Sequence, residues 1–224
     1  MNLEDIKGKL IVSCQALEDE PLHSSYIMSS MAVAAKVGGA AGIRAQSKAD
    51  IDEIMKVCDL PVIGIVKRQY EDSEIYITPT KKEVEELLTT KCQIIALDAT
   101  DRVRPHGEKC EDLVALIHQN NRLAMADCST FEECLNAQKM GFDIVSTTLC
   151  GYTPYSQNFT GPNFALLKKC VEELSVPVIA EGKINTPEDL QKVYECGVYS
   201  AVVGGAITRP QQITQKFVKI LKEV

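Results

Sequence analysis

The nine cysteines, scattered from Cys14 to Cys196, contain no CxxC pair, and the three histidines His23, His106 and His118 are not spaced as ligands to one another or to cysteines. That excludes the usual sequence patterns of zinc and dithiol sites, and no metal is expected. The cysteines are odd in number and most lie in apolar runs, where a thiol behaves as a small buried hydrophobe, which suits a reducing compartment. No apolar run approaches the roughly 18 residues of a membrane-spanning helix, and residues 1–8 are polar and charged rather than a signal region. A cytoplasmic protein without a membrane partner is the expectation. Basic charge is also short, 24 Lys plus Arg against 31 Asp plus Glu for a net charge of −7, and it forms no stripe. Nucleic acid, whose binding needs phosphate-neutralising cations, is excluded as a partner. Any anionic ligand must find a local positive pocket or oriented backbone dipoles to overcome the overall repulsion.

The chain is 45% apolar and 224 residues long, enough for one sizeable core, and a single domain spanning 1–224 is expected. Eight short apolar runs recur, at 9–15, 41–44, 62–67, 94–98, 123–127, 143–147, 178–181 and 201–204. Near-continuous hydrophobicity, as in Val62-Ile63-Gly64-Ile65-Val66, marks strands covered on both faces, as parallel sheets require. Between them lie helical stripes, first Met28, Met31, Ala32 and Ala35, then Ile51, Ile54, Met55 and Cys58. Later stripes run through Phe164, Leu167, Val171 and Leu174, through Leu190 and Val193, and through Ile213, Phe217 and Ile220. Thr80 with Glu83 and Thr130 with Glu133 read as capping boxes, and Pro187 after Thr186 as a first helical position. Eight strands alternating with eight helices predict an α/β fold, the closed (β/α)8 TIM barrel. Two connections, 68–79 and 149–162, exceed a minimal loop and follow strands, so they belong to the catalytic face as lids or substrate walls.

That face is lined by whatever ends each strand. Six of the eight ends are strongly polar, namely Gln15, Arg44, Lys67, Asp98, Asp127 and Glu181, and the sixth strand closes with Thr147-Thr148. Charged groups directly after buried strands must be paired, solvated in a cavity or shifted in pKa, and convergence on one polar pocket accounts for all six. The plainer alternative is that some only close the barrel top, Arg44 pairing with Asp98 or Asp127. Beyond the eighth strand, Gly204-Gly205 lead to Arg209-Pro210, while Glu181-Gly182-Lys183 follow the seventh. Glycines here allow backbone N–H groups to approach an anion, so Gly182, Lys183, Gly204 and Gly205 are candidate phosphate ligands.

Read in barrel order, the segments Ile11-Val12-Ser13-Cys14-Gln15-Ala16, Gly42-Ile43-Arg44-Ala45, Gly64-Ile65-Val66-Lys67-Arg68 and Ala96-Leu97-Asp98-Ala99-Thr100 form a recognisable series. It continues through Met125-Ala126-Asp127, Ser146 to Thr153, Ala180-Glu181-Gly182 and Val202 to Pro210. Over nearly its whole length the chain resembles the bacterial N-acetylmannosamine-6-phosphate 2-epimerases. Cys150 departs from the small residue expected there. The resemblance implies cofactor-free inversion at C2 of an N-acetylhexosamine 6-phosphate in sialic-acid and amino-sugar breakdown. It carries the acid/base lysine to Lys67, the essential carboxylate to Glu181, and substrate contacts to Gln15, Arg44, Asp127 and Arg209. The residue chemistry agrees: ring opening, removal of the C2 proton, enolate stabilisation and proton return need a base that is neutral. Lys67 meets that only if desolvation or Arg44 depresses its pKa. One-base and two-base routes both remain. A Schiff-base aldolase using Lys67 and a non-catalytic phosphosugar sensor are the rival readings. A homodimer is expected for a barrel of this kind.

Overall fold

The computed structural model describes residues 3–157 and 159–221. Residues 1 and 2 of the polar start, position 158 of the second long loop and the last three residues of the expected domain lie outside them. Eight parallel strands close into a barrel in sequence order: β1 Leu10–Cys14, β2 Gly42–Gln46, β3 Val62–Ile65, β4 Ile94–Asp98, β5 Leu123–Asp127, β6 Ile144–Ser146, β7 Val178–Glu181 and β8 Ser200–Val203. The helices are α1 Ser25–Val37, α2 Lys48–Val57, α3 Lys81–Leu88, α4 Cys110–Gln119, α5 Phe131–Lys139, α6 Phe164–Glu173, α7 Pro187–Glu195, α8 Gly205–Thr208 and α9 Pro210–Leu221. The (β/α)8 barrel anticipated from the alternating pattern is therefore present.

Two apolar layers account for the unbroken hydrophobicity of the strands. Inside the barrel, Ile11, Ile63, Ile94, Met125, Ile144, Ile179 and Val202 form one buried cluster. Their chain neighbours, such as Val12, Val62, Ile95, Ala124 and Val145, face outward into a second cluster shared with Met28, Ile51, Ile54, Leu87, Ile117 and Leu167 of the helices. A strand buried on both faces has no position for a polar residue until it ends, and that is what drives the charged side chains to its carboxyl end.

Three strands begin and end where the apolar runs do, and the departures elsewhere have local causes. β2 continues two residues beyond Arg44 because Ala45 and Gln46 pair with Gly64 and Ile65 of β3. β3 stops at Ile65 because the chain beyond it pairs with its own returning loop: Thr78 N–H donates to the Val66 carbonyl at 2.7 Å, and Lys67 and Ile77 form an antiparallel bridge. The loop 68–79 is thus a short hairpin folded against the strand rather than a free lid. Both expected capping boxes form, at Thr80/Glu83 and Thr130/Glu133, and Thr186 caps α7 with Asp189 in the same way.

The eighth unit differs from the expectation of one simple helix. A single turn, α8, is anchored by Thr208 Oγ1 donating to the Ser13 carbonyl at 2.7 Å, and α9 follows it with no buried residue. The stripe read from Ile213, Phe217 and Ile220 is helical, yet Phe217 is 73% and Ile220 59% exposed.

Candidate active site

At the carboxyl ends of the strands a cavity of ≈ 460 Å³ opens, a volume typical of small-ligand sites. Its walls include Gln15, Arg44, Lys67, Glu181, Gly182, Lys183, Gly204, Gly205 and Arg209, nine of the ten residues singled out from the sequence. The tenth, Asp127, is fully buried behind Arg44 and forms no part of the wall. Asp98 also stays away from the cavity. It accepts from Thr100 N–H and Oγ1 and pairs with Arg102 at 2.6 Å, which makes it a closure of the barrel rim.

Arg44 organises the floor. Although it sits inside β2, its guanidinium reaches Asp127 with two parallel bonds, Nη1 to Oδ1 at 3.0 Å and Nη2 to Oδ2 at 2.5 Å. Nη1 also donates to Glu181 Oε2 at 2.8 Å. Burial opposes the Arg44 charge, but the two carboxylates more than offset it and its pKa is raised. Of the pairings raised from sequence, Arg44 thus takes Asp127 and not Asp98. Such a buried pair is not in itself a source of stability, and here it fixes the direction in which Arg44 and Glu181 face. Thr148 Oγ1 lies 2.7 Å from Asp127 Oδ1 and 3.1 Å from Glu181 Oε2, completing the network.

Above this floor Lys67 has no hydrogen-bonding partner among the described residues, and burial followed by the Arg44 and Arg209 charges lowers its pKa to about 8. Glu181 is displaced the other way. Desolvation pushes its carboxyl up to about 7, with Asp127 adding to the rise while Arg44, Thr148 and Lys67 oppose it. An amine and a carboxyl in one cavity are thus both moved toward their neutral forms, a displacement that accumulates at functional sites. Two polar atoms of residues lining the same pocket, Gln15 Oε1 and Arg44 Nε, are buried without a hydrogen-bond partner among the described residues. They are available to a substrate amide or oxygen.

The glycine turns after β7 and β8 also line the cavity. After β7 the chain turns through Gly182 at φ 106° and Lys183 at φ 57°. The left-handed conformation of a lysine is a local cost of the kind that accumulates at functional sites. It brings Lys183 Nζ over the Tyr152 ring, 5.2 Å from its centroid. Opposite lie Gly204 and Gly205, whose turn opens α8 with N–H groups that have no intrahelical acceptor. Among the wall residues that sequence reading missed are Tyr76 on the returning hairpin, Tyr152 on the second long loop, Asn185, and Gln212 with Lys216 one turn apart on α9. The two tyrosines fall in loops already marked as substrate walls. Among the described residues no group of three or more His, Cys, Asp or Glu is arranged to hold a metal ion.

Fold and site together define a class: a (β/α)8 barrel with a polar cavity, holding an amine and a carboxyl of displaced pKa, at the carboxyl face of its strands, the design of a small-substrate enzyme. The profile of the family described as "Putative N-acetylmannosamine-6-phosphate epimerase" matches residues 28–223. A protein of Clostridium perfringens described as "Putative N-acetylmannosamine-6-phosphate 2-epimerase" is 64% identical over 220 residues, covering 98% of this chain and 100% of its own. One of Clostridioides difficile with the same description is 63% identical, covering 98% and 99%. The solved structure of the N-acetylmannosamine-6-phosphate 2-epimerase from Clostridium perfringens superposes with a TM-score of 0.96 at 64% identity, over 97% of this chain and 95% of that one. A thiamine phosphate pyrophosphorylase from Pyrococcus furiosus, TM-score 0.62 and 20% identical, shares the fold alone. The chain belongs to the N-acetylmannosamine-6-phosphate epimerase family.

Proposed function

We propose that this barrel interconverts N-acetyl-D-mannosamine 6-phosphate and N-acetyl-D-glucosamine 6-phosphate, as in sialic-acid and amino-sugar breakdown, with Lys67 as the base at C2. The observation that carries the reading is the opposed displacement of Lys67 and Glu181 in one cavity, with family membership naming the substrate class. The phosphate is held by Gly182, Lys183, Gly204 and Gly205 with Arg209, which places the sugar over the Arg44 floor. In the ring-opened substrate, neutral Lys67 takes the C2 proton and the electron pair moves into the C1–C2 bond, leaving negative charge on O1. Arg44 faces that charge, held in orientation by Asp127, and Gln15 meets the acetamido group. Return of a proton to the opposite face completes inversion.

In this reading Glu181 takes part in that return. Its Oε2 is occupied by Arg44 and Thr148, while Oε1 keeps no hydrogen-bond partner among the described residues and can carry the proton. This sequence of steps consumes no electrons and calls on no cofactor, and it gives Lys67 a proton-transfer role in place of the aldolase's Schiff base.

A homodimer is supported by α9, whose Phe217, Val218, Ile220 and Leu221 are exposed and which has no buried residue. Exposed contiguous apolar side chains of this extent mark association surfaces. A cytoplasmic location fits the nine unpaired cysteines, and no helix among the described residues is long and apolar enough to cross a membrane. Replacement of Lys67 by Met, which keeps bulk and removes the amine, tests the catalytic reading. The variant should bind inorganic phosphate as the native chain does yet lose conversion by at least about a thousandfold, as expected for a principal acid/base group. Conversion at the native rate would remove Lys67 from the chemistry.

A further inference from the structure

Arg209 projects into the cavity between α8 and α9, but its orientation is set from behind by a residue that does not line the cavity at all. Glu20, in the connection between β1 and α1, lies with Oε1 2.8 Å from Arg209 Nε and accepts from Nη2 on Oε2 at 3.0 Å. The Nε contact is too poorly angled for a hydrogen bond, so the directional bond is the one from Nη2. The Glu20 carboxylate is itself fixed independently of the arginine. Leu17 N–H donates to Oε2 at 2.8 Å, Gln211 Nε2 donates to Oε1 at 3.1 Å, and the turn is tied again by Glu20 N–H donating to the Leu17 carbonyl at 2.9 Å. Only 16% of its side chain is exposed, against 26% for Arg209.

We infer that Glu20 is a positioning residue for the substrate's phosphate: it holds the Arg209 guanidinium in one plane so that Nη1 is presented to the anion. A guanidinium carries five N–H donors in a rigid fork, and engaging the Nη2 side leaves both Nη1 hydrogens for a phosphate oxygen. Because the carboxylate already has two other donors, it acts as a fixed anchor and not as a competitor that must swing away. An arginine on a connection between two helices would otherwise sample many rotamers, and ordering it at the moment of binding costs affinity. The same contact joins the first βα connection to the link between α8 and α9, across the closing seam of the barrel where β1 pairs with β8.

The inference rests on the reading of Arg209 as a phosphate ligand, and the experiment separates the two. Glu20→Gln, Arg209→Ala and the double variant are compared for KM, kcat and competitive inhibition by inorganic phosphate, with the unfolding midpoint as a check on folding. Glu20→Gln conserves shape but must set an amide N–H against at least one of the donors it faces. It should raise KM and the phosphate inhibition constant together by about tenfold with kcat changed by less than about threefold, and add nothing in the Arg209→Ala background. Glu20→Asp, which keeps the charge at shorter reach, should fall between. Unchanged KM and phosphate inhibition in Glu20→Gln, when Arg209→Ala raises both, would overturn the role of Glu20 and leave Arg209 standing. A fall in kcat and unfolding midpoint with no KM change would overturn it as merely structural. Unchanged constants in Arg209→Ala would overturn the phosphate reading of Arg209 and the inference with it.

Discussion

Lys67 illustrates how a single residue can be read for chemistry from its neighbours in the chain. Five apolar residues precede it, so it must emerge at the top of a doubly buried strand, where water is scarce and the charged amine is disfavoured. The structure adds the charges of Arg44 and Arg209, and its pKa falls to about 8. Because the base must be neutral, kcat/KM should climb with pH through about 8 as Lys67 loses its proton; a profile that declines from pH 6 to 8 would contradict that assignment. If Glu181, raised to about 7, also delivers the second proton, a descending limb joins the rising one and the Glu181→Gln variant loses it. Strand-end logic found Gln15, Arg44 and Glu181 as well, since each follows or closes a buried run. It had no means of finding Glu20, which lies in an irregular connection and acts through an arginine 189 positions away. Nor does it distinguish Asp127, sealed behind Arg44, from residues that open on the cavity.

At the scale of elements, the two long connections are held by buried glutamates at helix starts. Glu83 joins the Thr80 cap to Tyr70 and Arg68 of the hairpin, with Tyr70 Oη 2.9 Å from Oε1. Glu133 accepts from Ser129 N–H and Oγ, both at 2.7 Å, and from Tyr155 Oη of the second connection at 2.5 Å. A capping box written into the sequence for local reasons therefore also fixes a substrate wall. Thr130→Ala removes one half of that box and should lower stability by about 1 kcal/mol in urea unfolding. Since the Glu133 contacts to Ser129 and Tyr155 survive, kcat should stay near native; a loss of activity without loss of stability would show that the cap serves catalysis directly. The capping boxes were legible because they are set within a few residues, whereas only β4, β5 and β7 keep the limits of their apolar runs. The fold-back of 68–79 was not legible, because its pairing of Lys67 with Ile77 depends on tertiary contact with β3.

For the molecule as a whole, doubly buried strands alternating with helical stripes mark a parallel α/β sheet, and the count of eight such units pointed to the closed barrel that is present. Periodicity also marked α9 as amphipathic, but it reports that a face is apolar and not what covers it. Gln212 and Lys216 line the cavity from the same helix that exposes Phe217 and Ile220, so in the proposed dimer association and ligand binding would share one element. Sedimentation velocity should find the native chain as a dimer and Phe217→Asp shifted toward monomer, with KM raised in step; a native monomer at micromolar concentration would contradict the proposed assembly. The central claim, epimerisation by proton transfer at C2, is tested most directly by NMR of N-acetylmannosamine 6-phosphate incubated with the protein in deuterium oxide. Transfer between two groups open to solvent predicts N-acetylglucosamine 6-phosphate carrying deuterium at C2. Product that keeps its original hydrogen would restrict the route to one shielded base, and no conversion at all would contradict epimerisation.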